Sequence, residues 1–547
     1  MYCTETEVII IGGGPVGLII ALELDRQGIN CLLVNNQLQT AVHPKANAIN
    51  SRSMEHFRRH GIASKIRSSG LPSDYPTDVT YVTRLTGYEL ARLSMPSSSE
   101  AVKQAKHSNS IYDCSEPPHR CSQIYLEKIL YDEVLNRKRI DVRFGHEFEE
   151  FNEINGGVTA KIRDLSANTK YNVSAKYLIG ADGGRSKVRR QLGIEYEGEG
   201  GVLRRMMGGA MQATFFYAER NDQWLKLKES WQYWIITSDL RALLMSVDGR
   251  NKFVLLTRIP DSNKANTIDD KDLISRAAGV PVKSKILLRQ QWTAGHALIA
   301  TSYGSNKVWL AGDSAHLFTP TGGLGMNTGI DDGVNLAWKL AAVINGWGGP
   351  NLLQSYEKDR RPIGIRNLSF ATEFAESIGS FGVSSKIEED SEAGKVERDK
   401  LGYHLINHGQ REFLIPGIVL GARYDNSSII WQDKSLPVPD EPYSYISTAR
   451  PGSRAPHVWL KDGSAICDHF GTGFTLLKFN SVKSIDRLFF AANKSGVPIK
   501  LFDCNENNLK SHYGADLTLV GPDGHVVWRG NKIPNECNSL IDRIRGV

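Results

Sequence analysis

A chain of 547 residues has room for about three domains, and 41% hydrophobic with 23% charged residues describes a protein with a large core and excludes a disordered chain. The net charge of +6 comes from scattered pairs such as Arg58 with Arg59, Arg204 with Arg205 and Arg360 with Arg361; without interleaved aromatic residues it argues against nucleic-acid binding and leaves weak attraction for anionic ligands. No continuous apolar run is long enough to span a bilayer and no basic leader with a cleavage site opens the chain, so a cytoplasmic protein is expected.

In chain order, the apolar run from Thr6 to Ile11 reads as a buried strand that enters Gly12, Gly14 and Gly17 in G-x-G-x-x-G spacing, followed by a helix from Leu18 to Arg26. Gly12 allows the tight turn, Gly14 lets a pyrophosphate approach the backbone, and Gly17 permits close helix packing. Gly28 ends the helix before a second strand, Asn30 to Val34. The acid expected there for a ribose hydroxyl is replaced by Asn35 and Asn36, which hydrogen-bond without charge.

A third strand, from Lys176, ends in Asp182 and Gly183 and is followed by the basic stretch Arg185 to Arg190. Period-two alternation then runs through Gln212 to Tyr217, Trp231 to Thr237, Leu243 to Asp248 and Lys252 to Ile259, which predicts a mainly antiparallel sheet. A fourth apolar strand from Val308 stops at Gly312 and Asp313, and a glycine-rich turn through Gly325, Met326 and Asn327 opens an apolar helix marked by Ile330, Val334, Ala337, Leu340 and Ile344. Asp313 can accept hydrogen bonds from ribityl hydroxyls. The N–H groups of Met326 and Asn327, at the positive end of a helix, suit the negative charge that a reduced flavin carries around N1 and its C2 carbonyl.

The polar stretch Ser384 to Arg398 reads as a solvated helix or mobile segment. Proline-rich segments at 435–443 and 450–456 read as a linker. Strands then recur at Thr475 to Phe479, Ile499 to Phe502, Asp516 to Val520 and Val526 to Arg529, the last two joined by a turn at Pro522, Asp523 and Gly524. Seven cysteines (Cys3, Cys31, Cys114, Cys121, Cys467, Cys504, Cys537) show neither C-x-x-C nor metal-ligand spacing, so reduced thiols and no metal are expected.

These three motifs, in this order and spacing, resemble the single-component FAD-dependent aromatic hydroxylases, the family of para-hydroxybenzoate hydroxylase and the phenol hydroxylases, over roughly residues 5 to 365. The resemblance implies a Rossmann-like α/β FAD domain at 1–190 with 295–375, and a substrate-binding sheet domain at 191–294 with contributions from 70–115. It further implies a helical linker region at 376–449 and, at 450–547, a thioredoxin-like domain that here lacks the redox cysteine pair and should pack or dimerise. Asp182 would serve FAD and the nicotinamide donor. Lys45 stands where the family usually has an arginine on the diphosphate or ribose, keeping the charge without the bidentate fork. Gln123 would lie near the ribityl chain and the Pro320 carbonyl on the oxygen-reactive face. Gln212, Tyr217, Trp231, Tyr233 and Met245 are candidates for the pocket wall.

The activity implied is hydroxylation of a phenolic or related electron-rich aromatic ring, with FAD as cofactor, NADH or NADPH as transient donor and O2 as co-substrate, through a flavin C4a-hydroperoxide. No second G-x-G-x-x-G unit follows a strand, which separates the chain from Baeyer-Villiger-type enzymes and two-nucleotide-domain reductases. Halogenases of the same fold carry W-x-W-x-I-P, which the stretch Trp231 to Ile236 does not match. Epoxidation or oxidative tailoring of a polyketide-like product and a non-catalytic flavoprotein are the alternatives. One position departs from the family: Asn47 stands where relatives often have His or Asp to accept a phenolic proton, which asparagine cannot do, so either the substrate arrives already activated, or Tyr217 or Tyr233 in the sheet relays the proton, or Asn47 only orients a carbonyl or hydroxyl.

Overall fold

Four-residue apolar strands need cover on both faces, and the run Val8–Ile11 obtains it as an inner strand of a six-stranded sheet. The computed structural model describes residues 4–107, 110–154, 156–259, 269–479, 484–504, 506 and 509–547. The sheet runs in the order Gly304–Ser305, Val308–Leu310, Tyr177–Gly180, Val8–Ile11, Cys31–Asn35, Ile140–Phe144, all parallel except the antiparallel first strand. Ile11 pairs with Gly180, and Gly180 with Leu310. Three chain segments therefore leave the sheet side by side at one edge, where open α/β sheets bind ligands.

The helix behind the first strand is Pro15–Arg26, starting earlier than the sequence suggests because proline is pre-set for the first helical position. It packs against the 21-residue helix Leu324–Ile344, which is buried along most of its length. The far half of that long helix leaves this layer. Trp338 stacks on Trp347 at 6.4 Å and meets Phe474 edge-on at 6.0 Å, joining the core of the C-terminal sheet. That sheet runs Ile499–Asp503, Phe474–Lys478, Leu517–Val520, Val526–Gly530, with only the first pair parallel. This is the thioredoxin-like order. All six described cysteines are free thiols.

A seven-stranded sheet covers the other side, in the order Lys285–Ala294, Gly209–Tyr217, Lys252–Arg258, Arg241–Ser246, Gln232–Ile236, Val79–Val82, Glu89–Leu93. Gln232–Ile236 pairs in parallel with Val79–Val82, and the other pairs are antiparallel. One face carries Ala213, Trp234, Leu243 and Met245, and the opposite face packs Phe216, Tyr233, Leu244 and Phe253 against the helix Asp270–Ala278. The polar stretch at 384–398 does not stay solvated throughout. It opens the helix Glu392–Phe413, which packs on Glu89–Leu93 and carries Glu412 and Phe413 inward. No helix among the described residues is long and apolar enough to cross a membrane.

Candidate functional site

Between the parallel sheet edge and the seven-stranded sheet lies a cavity of about 1510 Å³. A single small-molecule pocket is typically about 300–1,000 Å³, so this one has room for two ligands. Its floor at one end is the G-x-G-x-x-G turn. Gly12 sits at φ +117°, where a Cβ would lie 2.1 Å from the Ala181 carbonyl oxygen, and a Cβ on Gly17 would lie 1.9 Å from that of Gly12. These two glycines are required by the protein's own packing. Gly14 is different: a Cβ there meets no protein atom within 4 Å, and the helix it caps has no side-chain cap. The open space and unpaired N–H groups at a helix start form a cradle for an anionic group.

Above this turn the third and fourth strand ends supply carboxylates. Asp182 accepts from the N–H of Lys187 at 2.7 Å and of Val188 at 3.3 Å through one oxygen, while the other, Oδ1, is buried without a partner. Burial raises its pKa above the ordinary carboxylate value. Asp313 is exposed on the cavity wall, and partial desolvation there raises its pKa too. Acids so placed gain most from hydroxyl donors, which the sugar and ribityl parts of a dinucleotide provide.

Lys45, Gln123 and Asn35 complete this end of the wall. Gln123 accepts from the Ala46 N–H at 3.3 Å and donates to Glu127 at 2.5 Å, and Glu127 accepts from the Ala41 N–H at 2.7 Å. The pair thereby pins the loop that carries Lys45. Glu127 was not singled out in the sequence, where it reads as one more polar helix position. Burial raises its pKa.

The long helix starts at the cavity after Gly323, at φ +62°, again without a side-chain cap. Gly325, Met326, Asn327 and Pro320 all line the space. The Asn327 side chain is occupied: it donates to the carbonyls of Ala48 at 3.0 Å and Gly323 at 2.7 Å, and accepts from Asn50 N–H and the Ser53 hydroxyl. That side chain is therefore not available to a ligand.

The other end of the cavity is apolar, walled by Trp231, Trp234, Leu243, Met245, Trp292 and Phe413. Asn47 borders it and donates from Nδ2 to the Met245 sulfur at 2.8 Å. Three sequence candidates are corrected. Tyr233 is fully buried on the opposite face of the sheet, its hydroxyl bonded to Lys228 and Ser230 backbone, and burial raises its pKa. Tyr217 is exposed at a strand end, 3.4 Å from Asn251. Gln212 is buried against Asp270. The strand starts at Gln232, so Gln232 and Trp234 face the cavity and Tyr233 cannot. Arg120 and Glu412 line the cavity and were missed. Arg120 lies on a two-residue strand with His119, and Glu412 ends a helix that enters from far along the chain; neither leaves a periodic signal.

Comparison with known proteins agrees with this geometry. Residues 5–371 match the family described as FAD binding domain, and residues 448–546 match aromatic-ring hydroxylase, C-terminal. The chain is similar to the FAD-dependent monooxygenase apdD of Emericella nidulans, 32% identical over 98% of this chain and 90% of that protein. It is similar to the tetracenomycin A2 monooxygenase-dioxygenase of Streptomyces glaucescens, 31% identical over 100% of this chain and 97% of that one. Among solved structures, the rebeccamycin biosynthetic enzyme RebC with reduced flavin superposes with a TM-score of 0.89 at 33% identity, covering 100% of both chains. The flavin-dependent monooxygenase PieE in complex with FAD and substrate gives 0.87 at 27% identity over 99% of both.

Proposed function

Because the chain belongs to the FAD-dependent aromatic-ring hydroxylases, we propose that it hydroxylates a phenolic or related electron-rich ring seated against Trp231, Trp234 and Met245. The observation that carries this reading is the two-part cavity, with carboxylates, Lys45 and two uncapped helix starts at one end and an aromatic wall at the other. The protein is an FAD-dependent monooxygenase that uses NADH or NADPH and O2. FAD, when bound, accepts the donor's hydride and, with dioxygen, supplies the oxygen atom for the ring.

The chain's residues hold, orient and shield. The open space at Gly14 and the N–H groups of the helix it caps receive the diphosphate, with Lys45 adding positive charge. Asp313 accepts from ribityl hydroxyls, and Asp182, with one oxygen unpaired, binds a hydroxyl or the arriving nicotinamide donor. The helix start at Gly325 and Met326 would offer N–H groups and a positive dipole end to the flavin ring, and Pro320, which lines the same space, would supply a carbonyl beside it. Asn47, held by Met245, orients a ring substituent. The apolar wall keeps water away from the reacting atoms.

Purified protein should be yellow, and a panel of phenols should include compounds that stimulate NAD(P)H oxidation and return a hydroxylated product. Flavin-loaded protein that oxidises donor only to hydrogen peroxide, whatever ring is added, would overturn the proposal. Oxidative tailoring of a polyketide-like ring system is the second reading, favoured by the similarity to tetracenomycin A2 monooxygenase-dioxygenase; multi-ring phenols in the panel separate the two.

A further inference from the structure

Arg120 is the cavity group that the reading above leaves unused. Its backbone is held firmly: Arg120 pairs with Ala48 across a two-stranded bridge, and its carbonyl accepts from Leu71 N–H at 3.0 Å. Its guanidinium lies 3.8 Å over the Trp231 ring, and Trp231 in turn meets Phe413 edge-on. Among the described residues it makes no ion pair and no hydrogen bond, although it borders the same cavity as five carboxylates, Glu127, Glu147, Asp182, Asp313 and Glu412. Burial pushes its pKa down to about 10, which leaves it charged at neutral pH.

The side chain is half-buried on the cavity wall, and stacking on one indole, about 0.5–2 kcal/mol, gives its N–H groups no acceptor. A guanidinium carries five N–H donors, and at Arg120 they border the cavity with no partner among the described residues. A carboxylate or other anionic oxygen fits such a fork through charge-assisted bonds, whereas a neutral substituent leaves the cation unpaired. Lys45 is also without an ion pair among the described residues, but it sits with Gln123 and Glu127 on the dinucleotide side, while Arg120 belongs to the aromatic wall.

We propose that Arg120 anchors an anionic oxygen on the aromatic substrate, a carboxylate or an ionised phenol or enol, so that this site selects acidic ring systems over their neutral analogues. This rests on the reading of the apolar end as the substrate seat. It also bears on Asn47: with no proton acceptor at that position, a substrate that arrives already ionised and paired with Arg120 needs none.

The test is binding to the oxidised holoenzyme, without NAD(P)H, read from flavin absorbance and tryptophan fluorescence. Two probe pairs separate the sources of the charge: 3-hydroxy-2-naphthoate against 3-hydroxy-2-naphthamide for a carboxylate, and 4-nitrophenol against 4-nitroanisole for an ionised phenol. A charge-assisted contact predicts at least about tenfold preference for the acidic member of one pair. Arg120→Gln should abolish that preference, and Arg120→Lys should retain part of it, both with the FAD content of the wild type. Equal affinity within both pairs, a preference that survives Arg120→Gln, or loss of FAD from either variant would overturn the inference, the last by assigning Arg120 to the flavin. If Arg120→Gln does not fold, Arg120→Lys decides: it should bind the acid more weakly than wild type, and equal affinity overturns the proposal. Failure of the hydroxylase reading shows separately, as absence of phenol-stimulated NAD(P)H oxidation.

Discussion

Arg454 grips both carboxylate oxygens of Glu55, with Nη2 at 2.5 Å from one and Nε at 3.0 Å from the other, across the boundary between the C-terminal domain and the helix Ser51–Arg59. Both side chains are buried. Removing Arg454 leaves Glu55 with Arg52 at 3.6 Å and the Ser115 N–H at 3.1 Å, so Arg454→Ala should cost about 1–3 kcal/mol, read as a lowered denaturant midpoint. Burial alone would raise the Glu55 pKa, but Arg454 overrides it and holds it at about 2. A depressed acid stabilises above its unfolded value, about 4.3, and loses that contribution as pH falls towards the folded one. The difference between wild type and Arg454→Ala should shrink as pH falls from the variant's raised Glu55 pKa towards the wild-type value of about 2. A difference independent of pH would rule out the pair as its source.

Gly14 and Gly17 should fail in different ways. Gly17→Ala forces a Cβ against the Gly12 carbonyl and should destabilise the apoprotein itself. Gly14→Ala meets no protein atom, so its apoprotein should melt within about 0.5 kcal/mol of wild type while FAD affinity falls. Thermal melts with and without added FAD separate the two. A Gly14→Ala protein that keeps its flavin would show that the cradle is not where the diphosphate lies.

Asp313→Ala should fold, because the carboxylate lines the cavity and makes no hydrogen bond among the described residues, yet bind FAD at least about tenfold more weakly. The ratio of flavin to protein absorbance after gel filtration measures this. An equally yellow variant would refute the assignment.

Asn47→Ala should retain FAD but raise KM, or divert more NAD(P)H to hydrogen peroxide, because a ring free to tilt spends less time aligned for reaction. Tyr217→Phe, on a residue outside the cavity, should leave coupling at the wild-type value. Unchanged coupling and kinetics in the Asn47 variant, measured with a turned-over substrate, would place Asn47 outside the reaction.

Replacing Cys467 and Cys504 together by serine should leave hydroxylation intact, with a packing loss on the order of 1 to 3 kcal/mol. Cys467 contacts the Ser115 hydroxyl at 3.4 Å, and burial pushes its thiol up to about 12, far from a reactive thiolate. Lost turnover in a folded double variant would reveal a redox role in the tail.

The dinucleotide end was readable because each of its parts is local: a strand, a turn and a helix start within some twenty residues, with the register of Ile11, Gly180 and Leu310 bringing the three segments together. The substrate end was readable only as alternation. Period two shows that neighbouring residues face opposite ways, but not which set faces the cavity, so Trp231 and Met245 were named together with Tyr233 and Gln212. Arg120 and Glu412 owe their positions to tertiary packing of a two-residue bridge and a distant helix end, which have no one-dimensional signature.

The seven-stranded sheet divides labour between adjacent positions. Gln232, Trp234, Leu243, Met245 and Leu256 shape the ligand space, while Tyr233, Ile235, Ala242, Leu244 and Leu255 build the layer behind it. Substrate range and foldability are thus written on interleaved residues of the same strands. A library confined to the first set could retune what the enzyme accepts while its scaffold keeps its strength, whereas one drawn from consecutive positions would mostly sample broken proteins.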